Sequence, residues 1–139
     1  MPPAANNHSK NSLAKRDKLK SSLEIEALYH ENQSIVSFPI KCFFSFSEIK
    51  ENLSTLRVAF AVSKRTFKLA TNRNTIKRRM REAYRLNYKN ILDPFLNQQE
   101  KQMKLFMIYM GKEILEYAII EQNMQIILNR LLITYNRVL

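Results

Sequence analysis

Apolar residues occupy every second position from Phe38 to Phe46: Phe38, Ile40, Cys42, Phe44 and Phe46 alternate with polar Lys41, Ser45 and Ser47. A period of two belongs to a strand with one buried face. Phe43 breaks the alternation by placing a ring on the polar side, where another element covers it or a ligand uses it. Pro39 lacks a ladder donor and marks an edge position. Leu56, Val58, Phe60 and Val62 repeat the strand pattern, and residues 47–55 between the two runs read as a hairpin connection. Ahead of the strands, Ser21 with Glu24 three residues later forms a capping box for a helix through Leu23, Ala27 and Leu28 to about Glu31.

From about Asn72 the period becomes helical, with Thr71 or Asn72 as the cap. At ~100° per residue from Arg73, the cations Lys77, Arg78, Arg81 and Arg85 fall between roughly 0° and 140°, while Ile76, Met80, Ala83 and Tyr84 fall between roughly 280° and 20°. One stripe can pack on a sheet while its neighbour presents a row of charge. Asp93-Pro94 closes this helix, because proline disfavours helical geometry in the residue before it. Leu105 to Met110 is a short buried strand ending at the single glycine, Gly111, and Glu113 to about Arg137 carries Ile120, Met124, Ile127, Leu128, Leu131, Leu132 and Tyr135 at helical spacing. The order helix, two or three strands, helix, strand, helix predicts an α+β single domain, an α-β-β-β-α-β-α sandwich with one mostly antiparallel sheet. Residues 1–18, polar with two prolines, read as a mostly disordered arm, leaving 19–139 as the folded domain.

Charge changes the picture. The net charge is +11, and Arg57 to Asn90 holds eleven basic side chains against Glu82 alone. A solvated helix face would intersperse glutamates at i,i+4 spacing, so this block calls for a polyanion. A membrane surface is a poorer fit, since the apolar stripe beside the cations is narrow and suited to a sheet. No apolar run approaches bilayer length. Cys42, without a partner, reads as a small core residue in a reducing cytosol. Enzyme chemistry is not visible: His8 and His30 are isolated, the carboxylates are scattered, and no glycine-rich loop could hold a nucleotide phosphate. No catalytic or metal-ligating residue is predicted.

The stretch Ala59 to Leu86 carries three ordered motifs: Val62-Ser63-Lys64-Arg65 at a strand end, Arg73-Asn74 with Lys77-Arg78 at a helix start, and Arg81-Glu82-Ala83-Tyr84-Arg85 after it. Arg73 and Asn74 fall in the predicted first turn, where free N–H groups and the helix dipole favour phosphate. This set resembles the signature of the bacterial ribonuclease P protein family. Two departures stand out. Thr66, Phe67 and Lys68 occupy a connection where the family usually has glycine, which is also one residue longer, and Thr75 stands where the pattern often reads arginine.

The resemblance implies a left-handed β-α-β crossover and a partnership, 1:1, with a large catalytic RNA. That RNA, using Mg2+, removes the 5′ leader of precursor tRNA in the cytoplasm. It implies that Lys64, Arg65, Arg73, Asn74, Lys77, Arg78, Arg81 and Arg85 contact RNA. The leader would lie between the sheet and the first helix, with Tyr29 and Phe43 or Phe44 at the family's aromatic positions and Ile25 where phenylalanine is common. The competing classes are a ribosomal or RNA-chaperone module using the same helix, an autonomous ribonuclease, and a DNA-binding regulator. The last lacks the helix that precedes a recognition helix.

Overall fold

The computed structural model describes residues 17–49, 55–98 and 100–138. The chain runs α1 (Ser22–Glu31), β1 (Ser34–Ser37), β2 (Ile40–Glu48), β3 (Leu56–Val62), α2 (Ala70–Ile91), a short α3 (Asp93–Asn97), β4 (Lys101–Tyr109) and α4 (Tyr117–Val138). The strands form one sheet in the order β1-β2-β4-β3. β1 with β2 and β2 with β4 are antiparallel, and β3 with β4 is parallel. The sheet is therefore mostly antiparallel, with one β-α-β unit made by β3, α2 and β4.

This order corrects the hairpin expected over residues 47–55. β2 and β3 do not pair; β4 lies between them with nine residues matched to β2 and seven to β3. Being central, β4 has both faces covered and alternates little in polarity, so its pattern showed only as a short apolar run. Phe38 and Pro39 also leave the predicted strand. They form the turn of the β1–β2 hairpin, joined by a cis peptide, with Phe38 exposed and the Pro39 carbonyl accepting from the Met110 N–H at 2.6 Å. Gly111 has no positive φ; a side chain there would meet the Tyr109 ring at 2.9 Å, so closeness demands the glycine.

Strand alternation sorts the sheet into two faces. On one, Ile40, Cys42 and Phe44 of β2, Leu56, Val58 and Val62 of β3, and Met103, Leu105, Met107 and Tyr109 of β4 are buried. Against them pack Ile76, Met80, Ala83 and Tyr84 of α2, the stripe read from its period. Ile120, Met124, Ile127, Leu128, Leu131 and Tyr135 of α4 complete this core. Cys42 belongs to it, and burial pushes its thiol up, so it behaves as a small apolar side chain. The second face carries a small cluster of Leu19, Leu28 and Phe43, edged by Ile25, Ala59, Phe106 and Ile108 and covered by α1.

The Ser21 hydroxyl accepts from the Glu24 N–H at 3.3 Å, the predicted cap of α1, and Asn32 ends the helix in the left-handed region. The arm boundary moves. Residues 1–16 lie outside the described residues, but Lys18 bridges Val58 in parallel, and the Leu19 N–H donates to the Val58 carbonyl at 2.9 Å. Residues 17–20 thus continue the folded domain along the outer edge of β3.

Candidate nucleic-acid interface

β3 ends at Val62, and Ser63 turns the chain: its hydroxyl accepts from the N–H groups of Arg65 and Thr66 at 3.2 and 3.3 Å. This leaves Lys64 and Arg65 exposed at the carboxyl end of the strand. The connection that lacks the family's glycine is pinned from within. Phe67 is buried with its ring 5.9 Å from that of Tyr109. Arg73 reaches back to donate to the carbonyls of Phe67 and Lys68 at 2.8 and 3.0 Å. Aromatic packing and a guanidinium clamp replace the backbone freedom that glycine would supply.

α2 begins at Ala70 with Leu69 as cap, two residues sooner than Thr71 and three sooner than Asn72 as cap would place it, and Leu69 makes no side-chain cap. The Arg73 N–H consequently donates to the Leu69 carbonyl within the helix. The free N–H groups expected at Arg73 and Asn74 therefore belong to the residues ahead of them.

Along α2, Asn74 and Arg78 are exposed and Lys77, Arg81 and Arg85 half-buried. Among the described residues, Lys64, Arg65, Lys77, Arg78 and Arg81 have no carboxylate within ion-pair distance, whereas Arg85 pairs with Glu82 at 2.6 Å. Arg79, on the same helix, donates to the Leu115 carbonyl at 2.6 Å and ties α2 to the segment before α4. Thr75, in place of the family's arginine, donates to the Thr71 carbonyl. Along α2 the structure thus separates structural cations (Arg73, Arg79) and a neutralised one (Arg85) from a row free to meet phosphate.

The expected aromatic cleft is split by the pleat. Tyr29 on α1 lies 5.2 Å from Phe43, and Phe43 stacks on Phe106 at 6.3 Å with Lys41 over its ring at 4.9 Å. Phe44 points to the other face, packs 5.5 Å from Phe46, and belongs to the main core. Phe43 is 2% exposed, so α1 covers it, while Tyr29 is 56% exposed and offers the open ring.

Sequence reasoning missed a charged cluster under α1. Glu24 accepts from Arg57 at 3.1 Å and pairs with Lys104 at 3.0 Å. Burial alone would raise its carboxyl, but the Lys104 hydrogen bond and the charge of Arg57 outweigh this and hold it below the ordinary carboxylate value. Arg57 and Lys104 are register partners on β3 and β4, yet nothing local in the chain announces their meeting with Glu24. Among the described residues no group of three or more His, Cys, Asp or Glu could hold a metal ion. No helix among them is long and apolar enough to cross a membrane.

Fold and charge together define an α+β protein whose unneutralised cations are gathered at one strand end and along the helix that follows. The Ribonuclease P family profile matches residues 13–132. The ribonuclease P protein component of Porphyromonas gingivalis is 30% identical over 114 residues, 81% of each chain. That of Chlorobium phaeobacteroides is 39% identical over 77 residues, covering 54% of this chain and 53% of that one. The chain belongs to the ribonuclease P protein family. Solved structures agree in fold. The RNase P protein of Staphylococcus aureus superposes with a TM-score of 0.63 at 17% identity, covering 83% of this chain and 94% of that one. That of Thermotoga maritima gives 0.61 at 19%, covering 81% and 96%.

Proposed function

We propose that this chain is the protein subunit of a ribonuclease P holoenzyme, acting in the cytoplasm as one copy per RNA subunit. It binds the catalytic RNA through Lys64, Arg65, Asn74, Lys77, Arg78 and Arg81, with Arg73 shaping the loop between them and Arg85 at the far end of the row. It holds the 5′ leader of precursor tRNA near Tyr29 and Phe43. Cleavage depends on Mg2+ bound by RNA, and the reacting groups belong to the RNA rather than to this chain. The observation that carries the reading is the row of cations without carboxylate partners on α2 and the turn before it, in a chain of this family. Such cations neutralise phosphates and position RNA while reading little sequence, which suits a protein serving many precursor tRNAs. A ribosomal or chaperone module would share the charged helix but would not stimulate this cleavage.

The test adds purified protein to ribonuclease P RNA from the same organism and follows precursor-tRNA cleavage at low Mg2+. Cleavage should rise only when both are present, and the Lys77→Ala/Arg78→Ala variant should fail to stimulate while keeping its thermal midpoint. Arg73 is left intact because it clamps residues 67–68. RNA binding without any gain in cleavage would reduce the protein to a plain RNA-binding module, and cleavage by the protein alone would make it a nuclease.

A further inference from the structure

Where the carboxyl end of α2 meets the start of α3, a pocket of about 290 Å³ opens beside β3. Its apolar walls are Leu56, Leu96 and the rings of Tyr84 and Tyr88. The two tyrosines follow one another by one turn of α2, and their rings lie parallel with centroids 4.6 Å apart. Tyr84 is 2% exposed. The hydroxyls of Tyr109 and Tyr117 each have a hydrogen-bond partner; that of Tyr84 has none among the described residues. Two carboxylates, Asp17 and Asp93, and one ammonium, Lys89, complete the lining. Asp93 is exposed in the first turn of α3 and accepts from the Asn97 amide at 3.2 Å. Burial foremost, with the charge of Asp17 added, pushes both tyrosine hydroxyls up, so both rings keep their protons.

A buried hydroxyl without a partner calls for a group that can hydrogen-bond to it. Three features set the charge of that group. The carboxylates outnumber the ammonium in this lining, although the chain as a whole carries a net charge of +11. The pocket lies at the last turn of a 22-residue helix, where the helix dipole favours a cation. Tyrosine ring faces attract cations as well. Leu56 and Leu96 add a second requirement, an alkyl portion to lie against them. A metal ion answers the charge but not the apolar walls, and among the described residues no group of three or more His, Cys, Asp or Glu could hold one. An alkyl ammonium meets both requirements.

We propose that this pocket binds a small aliphatic ammonium ion of the polyamine class. Its nitrogen lies between Asp17, Asp93 and the Tyr84 hydroxyl oxygen, which accepts an ammonium N–H, and its methylenes lie against Leu56, Leu96 and the Tyr88 ring. The site goes beyond the RNA-binding reading above. It stands at the opposite end of α2 from Lys77 and Arg78, past the internally paired Arg85 and Glu82. Lys89, exposed at the rim, is the one opposing charge and weakens binding without being part of the site.

The test titrates full-length protein, in the absence of RNA, with putrescine and follows the ring resonances of Tyr84 and Tyr88 by NMR. Both should shift saturably with a single-site isotherm, and potassium or magnesium chloride at equal ionic strength should not reproduce the shift. Asp93→Asn removes an exposed charge and should weaken binding roughly fivefold, the effect of one partly exposed ion pair. Lys89→Ala should tighten binding by about twofold to threefold, because a competing charge is gone. Tyr84→Phe keeps the ring and should weaken binding roughly fivefold through the lost acceptor; should that variant not fold, the two surface variants decide. A shift reproduced by potassium would make this an inorganic-cation site and overturn the proposal. No saturable shift in the millimolar range, or equal affinities in wild type, Asp93→Asn and Lys89→Ala, would overturn it too. Because no RNA is present, each of these outcomes leaves the RNA-binding reading where it was.

Discussion

On the face covered by α2 and α4, the strands contribute apolar side chains up to the Glu48–Lys101 pair at one end; beneath α1 the row Phe43–Phe106–Ala59 is the one apolar throughout. The rows beside it carry Lys41 on one side and Ser45, Lys104 and Arg57 on the other. The two faces use the same strands and the same pleat, yet one is closed by two 22-residue helices and the other by a single 10-residue helix with one fully buried residue, Leu28. The closed face holds the molecule together, because apolar burial scales with area. The thinly covered face leaves charge and an exposed tyrosine at its margins, where a ligand can compete with water.

The largest expected effect lies in the closed face. Leu128→Ala removes a fully buried side chain of α4 and leaves a cavity that the rigid sheet cannot collapse to fill. Denaturant unfolding should show a loss of about 2 to 5 kcal/mol. A loss well below that range would mean that the two faces contribute alike and the contrast is superficial.

Leu28→Ala applies the same deletion to the other face. Leu28 is the one α1 residue that is fully buried, among Leu19, Phe43 and Ile25. α1 can shift to close part of the gap, so the loss should fall near about 2 kcal/mol, the low end for such changes. Amide exchange should quicken in α1 while β4 and α4 keep their protection. Equal quickening in all three would make α1 part of one cooperative unit.

How much of this contrast was legible beforehand depends on the range of the interaction behind it. The buried stripe Ile76, Met80, Ala83 and Tyr84 could be read because helix periodicity is local. The alternation Ile40, Cys42, Phe44 was equally plain, and it already forces Phe43 and Phe44 onto opposite faces, so only one of them could line a cleft with Tyr29. The position of β4 between β2 and β3 was not legible, since strand order is set by long-range packing rather than by any local pattern. The start of α2 at Ala70 was masked by Thr71 and Asn72, better capping residues than the observed Leu69. Arg73 looked like an RNA contact because its charge shows in sequence; its use as a loop clamp depends on carbonyls that no sequence displays. Glu24, Arg57 and Lys104 meet only through the fold, and Lys18 looked like the end of a polar arm although it bridges Val58.

Glu24→Gln sharpens the comparison through charge alone. The wild-type carboxyl lies below its ordinary value in the folded state, so its pairing contributes stability above the ordinary carboxylate range. That stability is lost as pH falls through the depressed folded value. At neutral pH the variant should lose on the order of 1 kcal/mol, since the three side chains are 12 to 28% exposed and partly screened. Wild type and variant should converge in strong acid. A gap between them that stays constant down to pH 2 would show that Glu24 acts through packing and not through its charge.

Arg78→Ala should change stability least and RNA binding visibly. Its side chain is exposed and has no ion-pair partner among the described residues, so unfolding should move by no more than about 0.5 kcal/mol. If it neutralises one phosphate, the slope of log affinity against log salt should flatten by about 1. Arg79→Ala provides the contrast on the same helix, because its guanidinium is committed to the Leu115 carbonyl. That variant should lose stability and leave the salt slope unchanged. Were the two to exchange behaviours, the division of the basic helix into structural and RNA-facing cations would be wrong, although the fold itself would be untouched. The pair therefore tests the side-chain geometry of α2 independently of the family to which the chain belongs.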